Sequence, residues 1–142
     1  MGVIMCDKMR ICVVEDCDMH AMLLKEMITE QGHESVRVRT MAEFHAIDDG
    51  NYDFVLMDLS LPDSDTEETL NAVKKVTKPC AVTTGCDDEK VAWRLGYMGI
   101  GMFPKHPSLR LTAAHSLGYA ERVRENEIEL QRLANLTIFE KV

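Results

Sequence analysis

The stretch YDFVLMDLSLPDSD, residues 52–65, decides the fold of this chain. Its apolar residues 54–57 run without interruption, as in a strand that is buried on both faces of a parallel sheet. Asp58 follows at once, and the turn-forming segment after it, which includes Pro62, cannot extend a central strand. We therefore expect Asp58 at the carboxyl end of a buried parallel strand, where open α/β sheets bind their ligands.

Apolar runs and helical periodicity alternate along the rest of the chain. Strands are predicted at residues 10–14, 35–39, 54–58, 80–84 and 101–104. Five helices are predicted. The first runs from Asp18, as its capping residue, to Gly32, and the second starts at the capping box Thr40–Glu43. The others are predicted over 66–76, from Asp87 to Gly96 or Gly99, and over 109–136. This alternation predicts a doubly wound α/β fold with a five-stranded parallel sheet, in the flavodoxin-like order 2-1-3-4-5, and an extended C-terminal helix.

Composition bounds the class of protein. The 142 residues suit a single domain, and 46% hydrophobic with 28% charged residues is typical of a globular chain. The formal net charge of −8 argues against direct binding of nucleic acid, which requires a basic face. No apolar run approaches the length of a membrane helix, and the N-terminus lacks the apolar region of a secretory signal. We therefore expect a cytoplasmic protein without a membrane partner.

Cysteines and histidines show no spacing that indicates a disulfide framework or a zinc site. The five cysteines are expected to be reduced thiols, and they are Cys6, Cys12, Cys17, Cys80 and Cys86. Cys86, two residues after Thr84, is either a loop thiol or a residue bordering the site. The five histidines are expected on the surface or in loops, and they are His20, His33, His45, His106 and His115.

Polar side chains follow four of the five predicted strands. Glu15 and Asp16 follow the first strand, Asp58 ends the third, Thr84 ends the fourth and Lys105 follows the fifth. These four strands are neighbours in the predicted order, and the carboxyl ends of parallel strands share one edge of the sheet. The sequence therefore predicts that three carboxylates, one hydroxyl and one ammonium meet in a single crevice.

This set of groups suits phosphoryl transfer. Clustered carboxylates repel one another and need a cation, and Mg²⁺ with its oxygen ligands and retained waters fits such a site. Asp58 is a candidate nucleophile that would carry an aspartyl phosphate. Lys105 would neutralise charge on the phosphoryl group and Thr84 would donate a hydrogen bond to it.

The motifs also resemble those of the receiver domain of two-component response regulators, over residues 10–120. The motifs that show the resemblance are ED at 15–16, MDLSLPDSD at 57–65, TTG at 83–85 and FPK at 103–105. The resemblance implies that Asp58 accepts a phosphoryl group from a phosphohistidine of a histidine kinase or a histidine phosphotransfer protein. It implies Mg²⁺ on Asp16 and Asp58, with Glu15 holding metal-bound waters and the main-chain carbonyl of Ser60 as a further ligand. The phosphoryl group would be contacted by Thr84 and Lys105.

Three positions depart from the family pattern. Met102 stands three residues before Lys105, where an aromatic residue usually turns inward on phosphorylation. His106 replaces the proline that usually follows the lysine, and Pro107 comes next, so this loop is expected to be trans or shifted by one residue. Thr66 stands where the family has glycine, which predicts an altered backbone in the loop after the third strand.

The C-terminal region predicts more than the last helix of a receiver. We expect a receiver domain at residues 10–122 and a helical extension or linker at 123–142. The extension is densely charged, with apolar residues at imperfect helical spacing, which suggests a coiled coil, a homodimer contact or a connection to an output domain beyond Val142. The alternative is a stand-alone receiver whose tail packs on itself.

The leading hypothesis is a phosphoacceptor signalling domain rather than a turnover enzyme, in which phosphorylation of Asp58 changes association with a partner or with itself. A first alternative is an interaction module with the same fold that switches weakly, in view of Met102 and Thr66. A second is a Mg²⁺-dependent phosphatase with an aspartyl nucleophile. Incubation with a small phosphodonor distinguishes these three hypotheses.

Overall fold

The computed structural model describes residues 7–85, 89–105 and 108–140, the last four of these by their backbone alone. The strands are β1 Arg10–Val14, β2 Glu34–Val38, β3 Phe54–Asp58, β4 Cys80–Thr84 and β5 Gly101–Pro104. The helices are α1 Asp18–Glu30, α2 Met41–Ala46, α3 Thr66–Lys75, α4 Glu89–Tyr97 and α5 Leu109–Glu140, with one 3₁₀ turn at Asp49–Asn51. Within these ranges no helix is long and apolar enough to cross a membrane.

The five strands form one parallel sheet in the order β2-β1-β3-β4-β5, which confirms the predicted fold. In the register of the central strands, Cys12 of β1 lies beside Val55 of β3, and Val55 lies beside Cys80 of β4. Every residue of β3 and β4 is buried, as expected for strands that are covered on both faces.

Helices cover both faces of the sheet. On one face, Met57 of β3 packs in a cluster with residues such as Leu70 of α3 and Leu95 of α4. On the other face, Leu56 of β3 belongs to a cluster with residues of α1 and α5, among them Leu24 and Leu117. Successive strand residues therefore contribute to opposite layers, and both layers anchor the helices that frame the ends of the strands.

The helix starts differ in detail from the prediction. Asp18 is not the capping residue of α1, because Cys17 holds that position and makes no side-chain cap. The Asp18 carboxylate instead pairs with the guanidinium groups of Arg37 and Arg39 on and after β2. At α2 the hydroxyl of Thr40 accepts from the main-chain N–H of Glu43 as predicted. The Glu43 carboxylate, however, accepts from the N–H of Arg39 rather than closing on Thr40.

Thr66 lies where the loop after β3 meets the next helix. It is the first residue of α3, which is capped by Asp65 through a hydrogen bond from the N–H of Glu68 to the Asp65 carboxylate. No described residue other than glycine has a positive φ. A threonine therefore fits the first turn of this capped helix without strain, and a backbone that differs from that of the family stays a prediction.

Two cysteines meet the expectation of reduced core thiols. Cys12 and Cys80 are buried and free, and burial raises the pKa of their thiols to about 11 and about 12. Cys17 is half-buried and also free. The predictions that concern Cys6, Cys86, His106, Pro107 and the start of the fourth helix at Asp87 lie outside the described residues.

Helix α5 continues to Glu140, four residues beyond the predicted end. Ala120 is its last buried residue among the described side chains. Beyond it the large apolar side chains are 45–67% exposed, and they are Ile128, Leu130, Leu133 and Leu136. The division into a receiver at 10–122 and an extension at 123–142 stays a prediction.

Candidate functional site

Consecutive strands bring polar residues to one edge of the sheet. Glu15 follows β1, and its N–H donates to the carbonyl of Val38 at 3.0 Å, which prolongs the pairing of β1 with β2. Asp58 ends β3, while the N–H of Lys105 donates to the carbonyl of Thr84 at 2.7 Å at the ends of β5 and β4. The parallel register therefore delivers these residues to the same crevice.

Three carboxylates meet there. One oxygen from each of Glu15, Asp16 and Asp58 lies within 4.8 Å of the others. Glu15 and Asp58 are buried, at 1% and 3% exposure, whereas Asp16 is exposed. The cluster is thus closed on the side of the sheet and opens to solvent past Asp16.

The ammonium of Lys105 lies inside the cluster. Its Nζ is 2.8 Å from Glu15 Oε1 and 3.2 Å from Asp58 Oδ2, and only 12% of its side chain is exposed. Burial by itself lowers the pKa of Lys105, but the two carboxylates outweigh burial and hold that pKa above its usual value. Lys105 is therefore a fixed positive charge at the end of β5.

The single positive charge of Lys105 does not balance the negative charge of three carboxylates. Burial raises the pKa of Glu15, the neighbouring Asp58 raises it further, and Lys105 opposes both. The raised pKa shows that negative charge at this position is costly. An additional cation would relieve that cost, and the all-oxygen donor set fits a hard divalent ion such as Mg²⁺.

Main-chain donors orient the carboxylates. The N–H of the exposed Ser60 donates to Asp58 Oδ1 at 3.0 Å, so the turn after β3 folds back onto the carboxylate. The N–H of Cys17 donates to Glu15 Oε2 at 3.3 Å. Each buried carboxylate therefore has one oxygen held by the backbone and the other facing Lys105.

Thr84 is fully buried at the end of β4. Its partner strand residue is Pro104, and Asp58 lies opposite Thr83, one residue earlier on the same strand. The main chain of Thr84 is thereby tied to Lys105. The assignment of its hydroxyl to the phosphoryl group remains a prediction.

His20 was not predicted at this site, yet it contacts the site. Its Nδ1 lies 3.3 Å from Lys105 Nζ and 3.4 Å from Glu15 Oε1, with 35% of the side chain exposed. The sequence signal for this contact is the position of His20 in the first turn of the helix that follows Glu15 and Asp16, because a side chain there can fold back over the strand ends.

His33 lies in the loop between α1 and β2, as the prediction of surface or loop positions allows, but it is only 6% exposed. Its Nδ1 accepts from the N–H of Met9 at 3.0 Å, and its Nε2 lies 3.5 Å from Glu121 Oε1 on α5. This contact lies at the opposite end of the strands from the carboxylates, since Met9 precedes β1. His33 therefore has a packing role that the spacing of histidines along the chain does not reveal.

Met102 and Phe103 face opposite layers. Met102 is half-buried against the cluster that contains α4, while Phe103 packs toward α5 with its ring 5.5 Å from that of Tyr119. Adjacent residues of a strand point to opposite faces, so Phe103 does not take the place that the family gives to an aromatic residue. The side chain at that place is the flexible thioether of Met102.

No protein-family model and no curated protein matches this sequence. Solved structures do match. The CheY-like receiver domain from Methanospirillum hungatei is 20% identical with a TM-score of 0.71, over 85% of this chain and 99% of that one. The phosphorylated cyanobacterial phytochrome response regulator RcpA is 24% identical with a TM-score of 0.66, over 81% and 93%.

NtrX from Brucella abortus is 20% identical with a TM-score of 0.73, over 89% of this chain but only 30% of that longer protein. The structure from Methanospirillum hungatei is described as a response regulator receiver domain and RcpA as a phosphorylated response regulator. The order of the strands, the two helical layers and these similarities agree, and the chain has the fold of the response-regulator receiver domains.

Proposed function

We propose that this chain is a phosphoacceptor of a two-component system or phosphorelay, with Asp58 as the residue that receives the phosphoryl group. The observation that carries the proposal is the position of Lys105 Nζ, 2.8 Å from Glu15 and 3.2 Å from Asp58, within a cluster of three carboxylates. A nucleophile, a cation site and a fixed positive charge are the parts that phosphoryl transfer requires. The similar response regulator RcpA was crystallised in its phosphorylated form.

The carboxylates of Asp16 and Asp58 and the main-chain carbonyl of Ser60 are the proposed ligands of Mg²⁺, with Glu15 holding metal-bound water. When bound, the ion neutralises charge on the phosphoryl oxygens and on the carboxylates around them. The geometry supports this assignment, because Glu15, Asp16 and Asp58 each offer one carboxylate oxygen within 4.8 Å of the others.

The residues of the chain have separate roles in the proposed transfer. A carboxylate oxygen of Asp58 forms the new bond to phosphorus, while the phosphorus–nitrogen bond of a phosphohistidine breaks and its electron pair stays on the imidazole. Lys105 moves from the carboxylate of Asp58 to a phosphoryl oxygen as the carboxylate loses its charge. The hydroxyl of Thr84 donates to a second phosphoryl oxygen.

The test is incubation of the purified protein with Mg²⁺ and a small acyl phosphate, followed by intact-mass measurement. We expect one labile phosphoryl group per chain that is absent from Asp58→Asn. The control Asp49→Asn changes an exposed aspartate whose carboxylate accepts from Thr77, and it should be labelled normally. A folded protein that is not labelled supports the constitutive interaction module, and sustained hydrolysis of a phosphate ester supports the phosphatase.

The partner classes follow from the same proposal. The donor would be a histidine kinase or a histidine phosphotransfer protein in the cytoplasm. The exposed apolar side chains beyond Ala120 suit a linker to an output domain or a contact between two copies. Sedimentation of the labelled and unlabelled protein distinguishes a phosphorylation-dependent dimer from a chain that stays monomeric.

A further inference from the structure

The ammonium of Lys105 has three N–H groups and three acceptors in contact with it. Two are the carboxylate oxygens of Glu15 at 2.8 Å and Asp58 at 3.2 Å. The third is Nδ1 of His20 at 3.3 Å. The histidine therefore completes the set of partners around the only described lysine in the cluster.

The direction of this third hydrogen bond follows from the chemistry of the donor. An ammonium group has no lone pair, so this contact is a hydrogen bond in the tautomer of His20 that carries its ring proton on Nε2 and accepts at Nδ1. The 3.4 Å approach of Nδ1 to Glu15 Oε1 then results from two acceptors sharing one ammonium. In that tautomer His20 binds Lys105 rather than Glu15.

The three acceptors differ in what the proposed reaction does to them. Asp58 loses its negative charge when it becomes an acyl phosphate, and Glu15 is assigned to metal-bound water. His20 is the acceptor whose charge and bonding do not change. We infer that His20 is a positioning residue that holds the ammonium of Lys105 in the crevice while that ammonium exchanges Asp58 for a phosphoryl oxygen, an inference that rests on the proposed function.

The location of His20 supports this role. It lies in the first turn of α1, and 35% of its side chain is exposed, whereas 12% of the Lys105 side chain is. The imidazole is therefore the more exposed of the two groups in contact. A lysine stem has four rotatable bonds, so without this contact the ammonium has an open route to water.

Three variants test the inference. His20→Ala removes the acceptor, and His20→Asn restores it, because the amide oxygen of asparagine can occupy the position of Nδ1. His115→Ala is the matched control, since His115 is an exposed histidine on α5. Far-UV circular dichroism and thermal unfolding establish that each variant is folded.

The first readout is the rate of labelling by a small acyl phosphate at saturating Mg²⁺. Because a hydrogen bond to a charged group is lost at a partly exposed position, we expect His20→Ala to be slower by about three- to tenfold. His20→Asn and His115→Ala should stay within about twofold of the wild type. Equal rates for His20→Ala and wild type, or His20→Asn as slow as His20→Ala, would overturn the inference.

The second readout does not depend on labelling. The ¹H–¹⁵N signal of a lysine ammonium is observable by NMR when hydrogen bonds slow its exchange with water. We expect the Lys105 signal in wild type and His20→Asn and its loss in His20→Ala. An unchanged signal in His20→Ala refutes the positioning role. A wild-type protein that shows the signal but is never labelled refutes the proposed function and leaves the contact itself established.

Discussion

Replacing Glu15 by glutamine should make the metal-free protein more stable at alkaline pH. The Glu15 side chain is 2% exposed, and burial, followed by the nearby Asp58, raises its pKa from 4.5 to about 7. Between these two pH values the folded protein binds more protons than the unfolded chain, so its stability falls as pH rises. Glutamine keeps the size of the side chain and an acceptor for Lys105, but it cannot ionise.

The size of the effect follows from the shift. A pKa that rises from 4.5 to about 7 corresponds to about 3 kcal/mol, at 1.36 kcal/mol for each unit. Glu15, Asp58 and Lys105 titrate as one interacting group, so part of this energy is shared among them. We expect the stability of Glu15→Gln relative to wild type to increase by about 1–3 kcal/mol between pH 5 and pH 8.

Urea unfolding at several pH values, in buffer containing a chelator, measures this difference. The control Glu26→Gln removes an exposed carboxylate from α1 and accounts for the change in net charge. Addition of Mg²⁺ at pH 8 should stabilise wild type more than Glu15→Gln, because the ion favours the charged carboxylates. A wild type that gains stability from pH 5 to pH 8 relative to Glu15→Gln would refute the cost of ionising the buried Glu15 carboxyl.

Three further changes have defined outcomes. Lys105→Met should tighten Mg²⁺ binding in calorimetry, because the ion no longer competes with an ammonium, and it should slow labelling of Asp58; weaker binding would contradict this. Gly101→Ala should lower the midpoint of thermal unfolding by the equivalent of about 1–3 kcal/mol, since its Cβ would lie 2.9 Å from Phe103 Cε2. Leu95→Ala, at a fully buried position of α4, should cost about 2–5 kcal/mol in urea unfolding; a cost near zero would place α4 off the sheet.

The parts of the fold that could be predicted are those where several signals in the sequence agree. Residues 54–57 form an apolar run too short for a helix, and turn residues follow Asp58, so β3 matches its prediction at both ends. The order of five parallel strands then followed from chain connectivity, and with it the meeting of Asp58 and Lys105. By contrast β2, with mostly half-buried residues, starts one residue earlier than predicted.

The missed features depend on side-chain directions that spacing does not encode. Asp18 was expected to cap α1, yet its carboxylate is drawn to Arg37 and Arg39, which are distant in sequence. His20 and His33 share no spacing with other candidate ligands, and only the packed structure shows which of them reaches the crevice. The apolar residues of α5 are imperfectly spaced, so the pattern underestimated the length of that helix.

Fluorine NMR of the protein with beryllium fluoride tests the central claim most directly, because this complex binds a carboxylate oxygen as a phosphoryl group does. The account predicts bound fluorine signals that require Mg²⁺ and that disappear in Asp58→Asn. The absence of bound signals from the folded wild type, or the same signals in Asp58→Asn, would contradict the assignment of Asp58 as the phosphoryl acceptor.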